Sequence, residues 1–245
     1  MLSTLAKIIS IIAKIVIARK ISTLAMSIYS LTLPTLSLLL NIAQLGIPTT
    51  ISKLIAKRKY PTFKIMQVSI FVMLLIDLIC GIIYLFFVPK LANNYLANSK
   101  TMLTLYGMVL LLPLISLTSI LKGYFIGIDK VEVTAKCQIS EEISRLLFVF
   151  LLVDFINKNN VSLLSFFTMF STIVGEIASL IHLCINLNVK NFKKRLILHN
   201  EGNKKIINHV MKFSLMSTST KLFGSIIYFF EPILFTSLML KANVS

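Results

Sequence analysis

Along the chain, long apolar runs alternate with short polar, basic connections, and the runs fall at about residues 3–18, 27–55, 65–88, 102–126, 138–156, 162–187 and 210–240. A helix needs ~20 mostly apolar residues to cross a bilayer. The pattern therefore predicts an all-α integral membrane protein with about seven transmembrane helices. The first run is short and contains Lys7 and Lys14. It lacks a small-residue cleavage site and more spans follow, so it reads as a retained helix rather than a signal peptide.

Several runs are not apolar all round. Residues three and four apart share a helical face. By that rule Ser30, Pro34, Ser37, Asn41, Gln44 and Pro48 form a polar stripe in the second run, and Thr168, Thr172, Gly175, Ser179, His182 and Asn186 form one in the sixth. Ser3, Lys7, Ser10 and Lys14 do so in the first, and Ser214, Ser217, Lys221, Gly224 and Tyr228 in the seventh, with Glu231 at its edge. Polar groups without partners are costly in hydrocarbon. Such faces serve either as helix–helix contacts, where small and hydroxyl residues pack closely, or as the wall of a hydrated cavity. Several striped helices in one chain point to a cavity, and so to transport rather than anchoring.

Composition agrees with the bilayer. The 245 residues are 56% hydrophobic and 14% charged, with a mean hydropathy of +0.87. The formal net charge is +16, but the basic residues lie mainly between apolar runs and lack the aromatic interleaving of a single-strand nucleic-acid site. They read as topology signals and contacts to anionic membrane lipids, not as a nucleic-acid surface. Counting Lys53 and Lys122, at the ends of the second and fourth runs, with the connections that follow them, the even-numbered connections hold fourteen Lys and Arg and the odd-numbered ones five, which places the N-terminus in the cytoplasm. Segment 188–208, NVKNFKKRLILHNEGNKKIIN, is the one long polar connection. It divides the chain into 1–187, a basic cytoplasmic linker at 188–209, and 210–245.

Charges inside spans mark candidate chemistry, since one at the bilayer centre costs at least ~2.5–3.5 kcal/mol. Asp77, Glu176, Lys212, Lys221 and Glu231 fall inside spans, and Glu141, Glu142 and Arg145 open the fifth. Glu141 and Arg145 have the spacing of a self-contained i,i+4 pair. Lys7 and Lys14 share a face, from which they either snorkel to the interfaces or line a cavity and meet an anion. His182 reads as a packing residue or a proton relay. Cys80, Cys137 and Cys184 show no CxxC spacing and read as free, buried thiols. No metal-ligand or catalytic constellation, P-loop, HExxH or GxSxG is present. Neither a cofactor, a metal nor an enzymatic role is expected.

Three stretches carry a family resemblance: YSLTLPTLSLLLNIAQLGIPTTISKLIAK (29–57), LKGYFIGIDKVEVTAKCQISEEISRLLFVFLL (121–152) and KFSLMSTSTKLFGSIIYFFEPILFTSLML (212–240). LGIPTTISKLIA is the most specific part. The chain resembles the stage V sporulation protein B-like flippases of the multidrug/oligosaccharidyl-lipid/polysaccharide exporter superfamily, which also holds the MurJ lipid II flippases. The resemblance implies two six-helix lobes around a central cavity, alternating access, and a lipid-linked oligosaccharide or peptidoglycan precursor as substrate in a bacterial plasma membrane. The first helix and following loop lack the family's usual glycines. On this frame the chain is the six-helix N-terminal lobe plus the first helix of an incomplete second lobe. It is then a fragment, a split product, or a half whose partner chain supplies the other lobe.

Site candidates follow from the stripes and the resemblance together. Lys7, Lys14, Asn41, Gln44, Glu176, Lys212, Lys221 and Glu231 are expected at a substrate cavity, where the lysines meet a pyrophosphate headgroup. Asp77, Glu176 and Glu231 are the coupling candidates if the chain is instead a cation-coupled small-molecule exporter. A non-transporting truncated membrane subunit is the alternative from a different class.

Overall fold

A computed structural model describes residues 2–58, 60–152, 160–187 and 203–241. Among them are nine α-helices: α1 (Leu2–Lys20), α2 (Thr23–Gln44), α3 (Ile47–Ala56), α4 (Thr62–Lys90), α5 (Met102–Gly107), α6 (Leu111–Gly127), α7 (Val131–Leu152), α8 (Val161–Asn186) and α9 (Asn203–Lys241). A π-turn, Leu91–Tyr95, closes α4. Two 3₁₀ turns, Ser99–Thr101 and Met108–Leu110, flank α5.

Among the described residues, five helical stretches are long and apolar enough to cross a membrane: Thr23–Ala56, Thr62–Tyr95, Ser99–Gly127, Val161–Asn186 and Lys221–Leu238. These make an all-α, multi-pass membrane fold. The first and fifth of the seven expected spans do not join them, because their helices are too charged. Helix α1 carries Lys7, Lys14, Arg19 and Lys20, and α7 carries Glu132, Lys136, Glu141, Glu142 and Arg145.

Local chemistry sets the helix boundaries. The Ser22 hydroxyl accepts from the Ala25 amide and starts α2, and the Asn160 side chain accepts from the Leu163 amide and starts α8. The expected single span at 27–55 is instead two helices. Leu45 (φ 38°) and Gly46 (φ 59°) both take the left-handed conformation, and Pro48, which has no N–H to leave unsatisfied, sits in the first turn of α3. The helix of the seventh run, α9, starts at Asn203 rather than near 210. The part of the expected linker at 188–202 lies outside the described residues.

Helices α6 and α8 are central. Helix α8 packs against α7, α6 and α2, α6 against α3 and α4, and α1 lies along α7. Helix α9 runs against α2, α3 and α4. The α3–α6 contact is close because of two glycines four apart. A Cβ on Gly123 would stand 2.9 Å from Pro48 Cα, and one on Gly127 2.9 Å from Ile55 Cβ.

Polar side chains join an apolar interior, and large apolar side chains also cover the outside. Ser69, Asp77, Thr104, Ser116, Thr118, Ser165 and Glu176 are buried, while Phe71, Phe86, Ile185 and Ile227 are 69–78% exposed. Helix α4 shows both faces, with Ser69, Met73 and Asp77 turned inward and Leu74, Leu78 and Ile82 outward. Such a surface is stable in hydrocarbon and not in water.

The α3–α6 seam gives a test. Gly123→Ala is expected to cost about 1–3 kcal/mol through overpacking, because its Cβ meets backbone. Gly224→Ala on α9, where a Cβ meets nothing within 4 Å, should be neutral or slightly stabilising. Thermal unfolding in detergent compares the two, and equal effects would contradict the seam.

Candidate functional site

Two hollows open beside the α6–α7–α8 core. The larger, about 470 Å³, is lined from α1 by Lys14, from α2 by Ser37, Asn41 and Gln44, and from α7 and α8 by Glu141, Arg145, Thr172 and Glu176. Tyr29 and Tyr228 also reach it. The smaller, about 290 Å³, is lined by Pro48, Thr118, Lys122 and Gln138. Gln44 and Glu176 belong to both, so the two hollows meet at this pair.

A chain of partners holds the charges. Lys122 Nζ lies 3.5 Å from Glu141 Oε2. Arg145 Nη1 donates to Glu142 Oε2 at 3.4 Å, and the Ser10 hydroxyl donates to Glu142 Oε1 at 2.7 Å. The Thr118 hydroxyl donates to Glu176 Oε2 at 2.9 Å. Four helices are thereby tied together: α1 through Ser10, α6 through Thr118 and Lys122, α7 through its carboxylates and arginine, and α8 through Glu176.

Helix–helix geometry puts these groups in place. Small and apolar residues, Ala6, Ala13 and Ile17, bury one face of α1, and α1 lies along α7. The arginine reaches the hollow across Gly175. A Cβ at that position would stand 2.6 Å from Arg145 Cγ and 3.1 Å from the Glu141 carbonyl oxygen. Gly175 is thus the gap through which α7 sends its charged face past α8.

The sequence candidates divide. Lys14, Asn41, Gln44 and Glu176 line the larger hollow, and the Asn41 amide also donates to the Ser37 carbonyl at 3.0 Å. Lys7, Lys212, Lys221 and Glu231 are exposed and line neither hollow. On α9, Ser214 donates to Thr50 Oγ1 at 3.3 Å and Ser217 meets Thr49 Oγ1 at 2.8 Å, so the first half of that stripe is a contact with α3. Asp77 is buried away from both hollows. Neither of its oxygens has a hydrogen-bond partner among the described residues, and the Ser116 hydroxyl beside it donates instead to the Ala43 carbonyl. His182 is half-buried outside both hollows.

Several sequence readings change. Glu141, Glu142 and Arg145 lie in the middle of α7 rather than at its start, because the helix begins at Val131. The expected Glu141–Arg145 pair is absent from the described ion pairs: Arg145 takes Glu142 at i,i+3, and Glu141 takes Lys122. Lys122, read as a connection residue, is inside α6. Of the three thiols, only Cys137 is fully buried, against Ser179; Cys80 is half-buried and Cys184 exposed. Among the described residues no group of three or more His, Cys, Asp or Glu could hold a metal.

The model of the polysaccharide biosynthesis protein family matches residues 1–244. Stage V sporulation protein B of Bacillus subtilis is 27% identical over 247 residues, covering 98% of this chain and 48% of that protein. Sporulation protein YkvU of the same organism is 25% identical, covering 98% and 54%. Its lipid II flippase MurJ is 27% identical over 183 residues, covering 68% and 34%. The chain spans about half the length of the first two relatives. No solved structure matches it.

Gly175→Val should displace Arg145 and loosen its bridge to Glu142. The expected loss is about 1–3 kcal/mol in wild type and much less in an Arg145→Ala background, a coupling that a double-mutant cycle of detergent melting curves measures. Additive losses would mean that Gly175 does not position Arg145.

Proposed function

The chain belongs to the polysaccharide biosynthesis protein family of the multidrug/oligosaccharidyl-lipid/polysaccharide exporter superfamily, and from that premise we propose that it forms the N-terminal half of a flippase. Members of this family are transporters and not catalytic enzymes. The substrate we propose is a lipid-linked oligosaccharide or peptidoglycan precursor in a bacterial plasma membrane, with the N-terminus cytoplasmic. The observation that carries the reading is the larger hollow: charged and polar side chains set among Leu33, Leu36, Leu40 and Ile115, recessed in a body whose outer surface is rich in apolar side chains.

In this reading Lys14 and the outer edge of Arg145 attract the phosphate groups of the carrier lipid, and arginine's planar fork suits phosphate oxygens. Ser37, Asn41 and Gln44 offer hydrogen bonds to sugar hydroxyls, and Tyr29 and Tyr228 add an aromatic edge. The lipid tail stays among the exposed Phe, Leu and Ile side chains of the outer surface. Alternating access needs two halves around one site, so the second half faces the open side of the hollow, on this polypeptide or another. The buried carboxylate of Glu176 favours a second reading, a cation-coupled exporter of smaller molecules within the same superfamily.

Transport of a lipid-linked oligosaccharide in proteoliposomes that hold this half together with a second half tests the first reading. Lys14→Ala and Arg145→Ala are each expected to lower the rate about tenfold, the equivalent of ~1.4 kcal/mol. Lys7→Ala and Lys212→Ala, which lie outside the hollow, should change it little. Unchanged transport in both hollow variants would overturn the site. Ion-dependent efflux of a small molecule, lost in Glu176→Gln while glycan transport is absent from wild type, would favour the second reading.

A further inference from the structure

Asp77 is a buried group outside both hollows that no contact satisfies. It stands midway along α4, which spans Thr62–Lys90. It is 4% exposed, and neither carboxyl oxygen has a hydrogen-bond partner among the described residues. Its face of α4 packs on α6. A Cβ on Gly81, one turn on, would stand 3.5 Å from Val109 Cγ1 and 3.7 Å from Leu112 Cδ1. Among the described residues, the charged groups on helices packed against α4 are Lys53 on α3, Lys122 on α6, and Lys212, Lys221 and Glu231 on α9. Lys122 is taken by Glu141, and the other four are exposed. The titratable neighbour on α4 itself is the Cys80 thiol. A carboxylate there would have neither counter-ion nor donor, and a group so placed stays neutral rather than bear the cost of its charge.

The neighbouring hydrogen bond gives the direction of the proton. Ser116 is 1% exposed and lies beside Asp77. Its hydroxyl has a single proton, and that proton goes to the Ala43 carbonyl at 2.9 Å, which can only accept. Ser116 therefore has nothing to donate to a carboxylate, while its oxygen still has room for a donor. A protonated carboxyl is such a donor. Ala43 is the next-to-last residue of α2. The final carbonyls of a helix lose their intrahelical partners, and here the helix is broken by Leu45 and Gly46.

We propose that Asp77 is a neutral carboxylic acid that donates to Ser116 Oγ, and that the relay Asp77–Ser116–Ala43 positions Gln44, the residue that the two hollows share. The Asp77 O–H gives to Ser116 and the Ser116 O–H gives to the Ala43 carbonyl, so each proton has one acceptor. Consecutive hydrogen bonds of this kind polarise and strengthen one another. The relay holds the broken end of α2 from α4 and α6, one residue before Gln44. It also takes Asp77 out of the coupling candidates, because a proton that ties three helices together stays in place through a transport cycle.

Only the use of Gln44 in transport rests on the flippase reading, so the relay is tested without transport. The purified chain in detergent is compared with its Asp77→Asn variant by infrared difference spectroscopy at about pH 6, where exposed carboxyls are ionised. The difference is expected to show the C=O band of one protonated carboxyl. In Ser116→Ala the same band should move to higher frequency, because its acceptor is gone. Carboxylate bands in place of the C=O band would overturn the proposal, as would their appearance on adding sodium, which would make Asp77 a cation site. Position is read from the rate at which Gln44→Cys, in a variant lacking the three native cysteines, reacts with a charged thiol reagent. Ser116→Ala and Asp77→Val should each change that rate several-fold. Asp77→Asn, whose amide N–H still donates to Ser116, should keep the parent rate. Equal rates in all four proteins, or a rate in Asp77→Asn that matches Asp77→Val, would overturn the relay. Circular dichroism checks folding, and where Asp77→Val does not fold, Ser116→Ala and Asp77→Asn carry the comparison. A relay that passes both tests in a protein that moves no glycan would count against the flippase reading alone.

Discussion

The structure depends on one constraint: in hydrocarbon, a polar group has to find its partner inside the protein. That constraint turns the helices so that Ser, Thr, Asp and Glu face one another and Phe, Leu and Ile face out. Much of the hydroxyl content is used up locally. Thr32, Thr168 and Ser171 each donate to a carbonyl one turn back, as Ser and Thr do in apolar surroundings. Pairs across helices, such as Thr104 with Ser165 and Ser116 with the Ala43 carbonyl, then fix which faces meet.

The charged groups obey the same constraint at higher stakes. Removing one member of a buried ion pair typically costs ~3–5 kcal/mol, because the other is left uncompensated. Here the pairs run between α6 and α7 and within α7, and Ser10 brings α1 into the set. A helix as charged as α7 belongs in this body because Glu141, Glu142 and Arg145 look inward, at α1, α6 and α8, while Glu132 and Lys136 near its start are exposed. The hollow is where the partners run short: the Thr172 hydroxyl has no hydrogen-bond partner among the described residues, and space adjoins it beside Gln44 and Glu176. Structural satisfaction and candidate function are therefore adjacent in the same network.

Much of this was legible in the sequence. Apolar length marked the membrane helices, and the three-and-four spacing picked out Ser37, Asn41 and Gln44 on the side of α2 that faces the hollow. Periodicity could not reveal the Leu45–Gly46 break, because the polar stripe continues across it from Gln44 to Pro48; the glycine–proline spacing was the only local signal. Loop counting placed Lys122 outside the helices, since a lysine near the end of a span looks the same whether it snorkels or turns inward. The i,i+4 rule offered Glu141 to Arg145, but tertiary contact supplied Lys122 and a helix-surface rule cannot see across helices. Lys7 and Lys221 sat on polar stripes yet are exposed, because a stripe names a face without saying what that face meets; Lys212, a charge inside the same run as Lys221, is exposed too.

The central claim is that the polar faces enclose space that water reaches while the apolar faces meet lipid. Single cysteines placed in a variant lacking Cys80, Cys137 and Cys184 test this most directly, through labelling in native membranes by a charged, water-soluble thiol reagent and by an apolar one. The account predicts that Ser37→Cys and Gln44→Cys react with the charged reagent, while Phe86→Cys and Ile227→Cys react only with the apolar one. Reaction of all four positions with the charged reagent, or of Phe86→Cys and Ile227→Cys in preference to the two hollow positions, would contradict it.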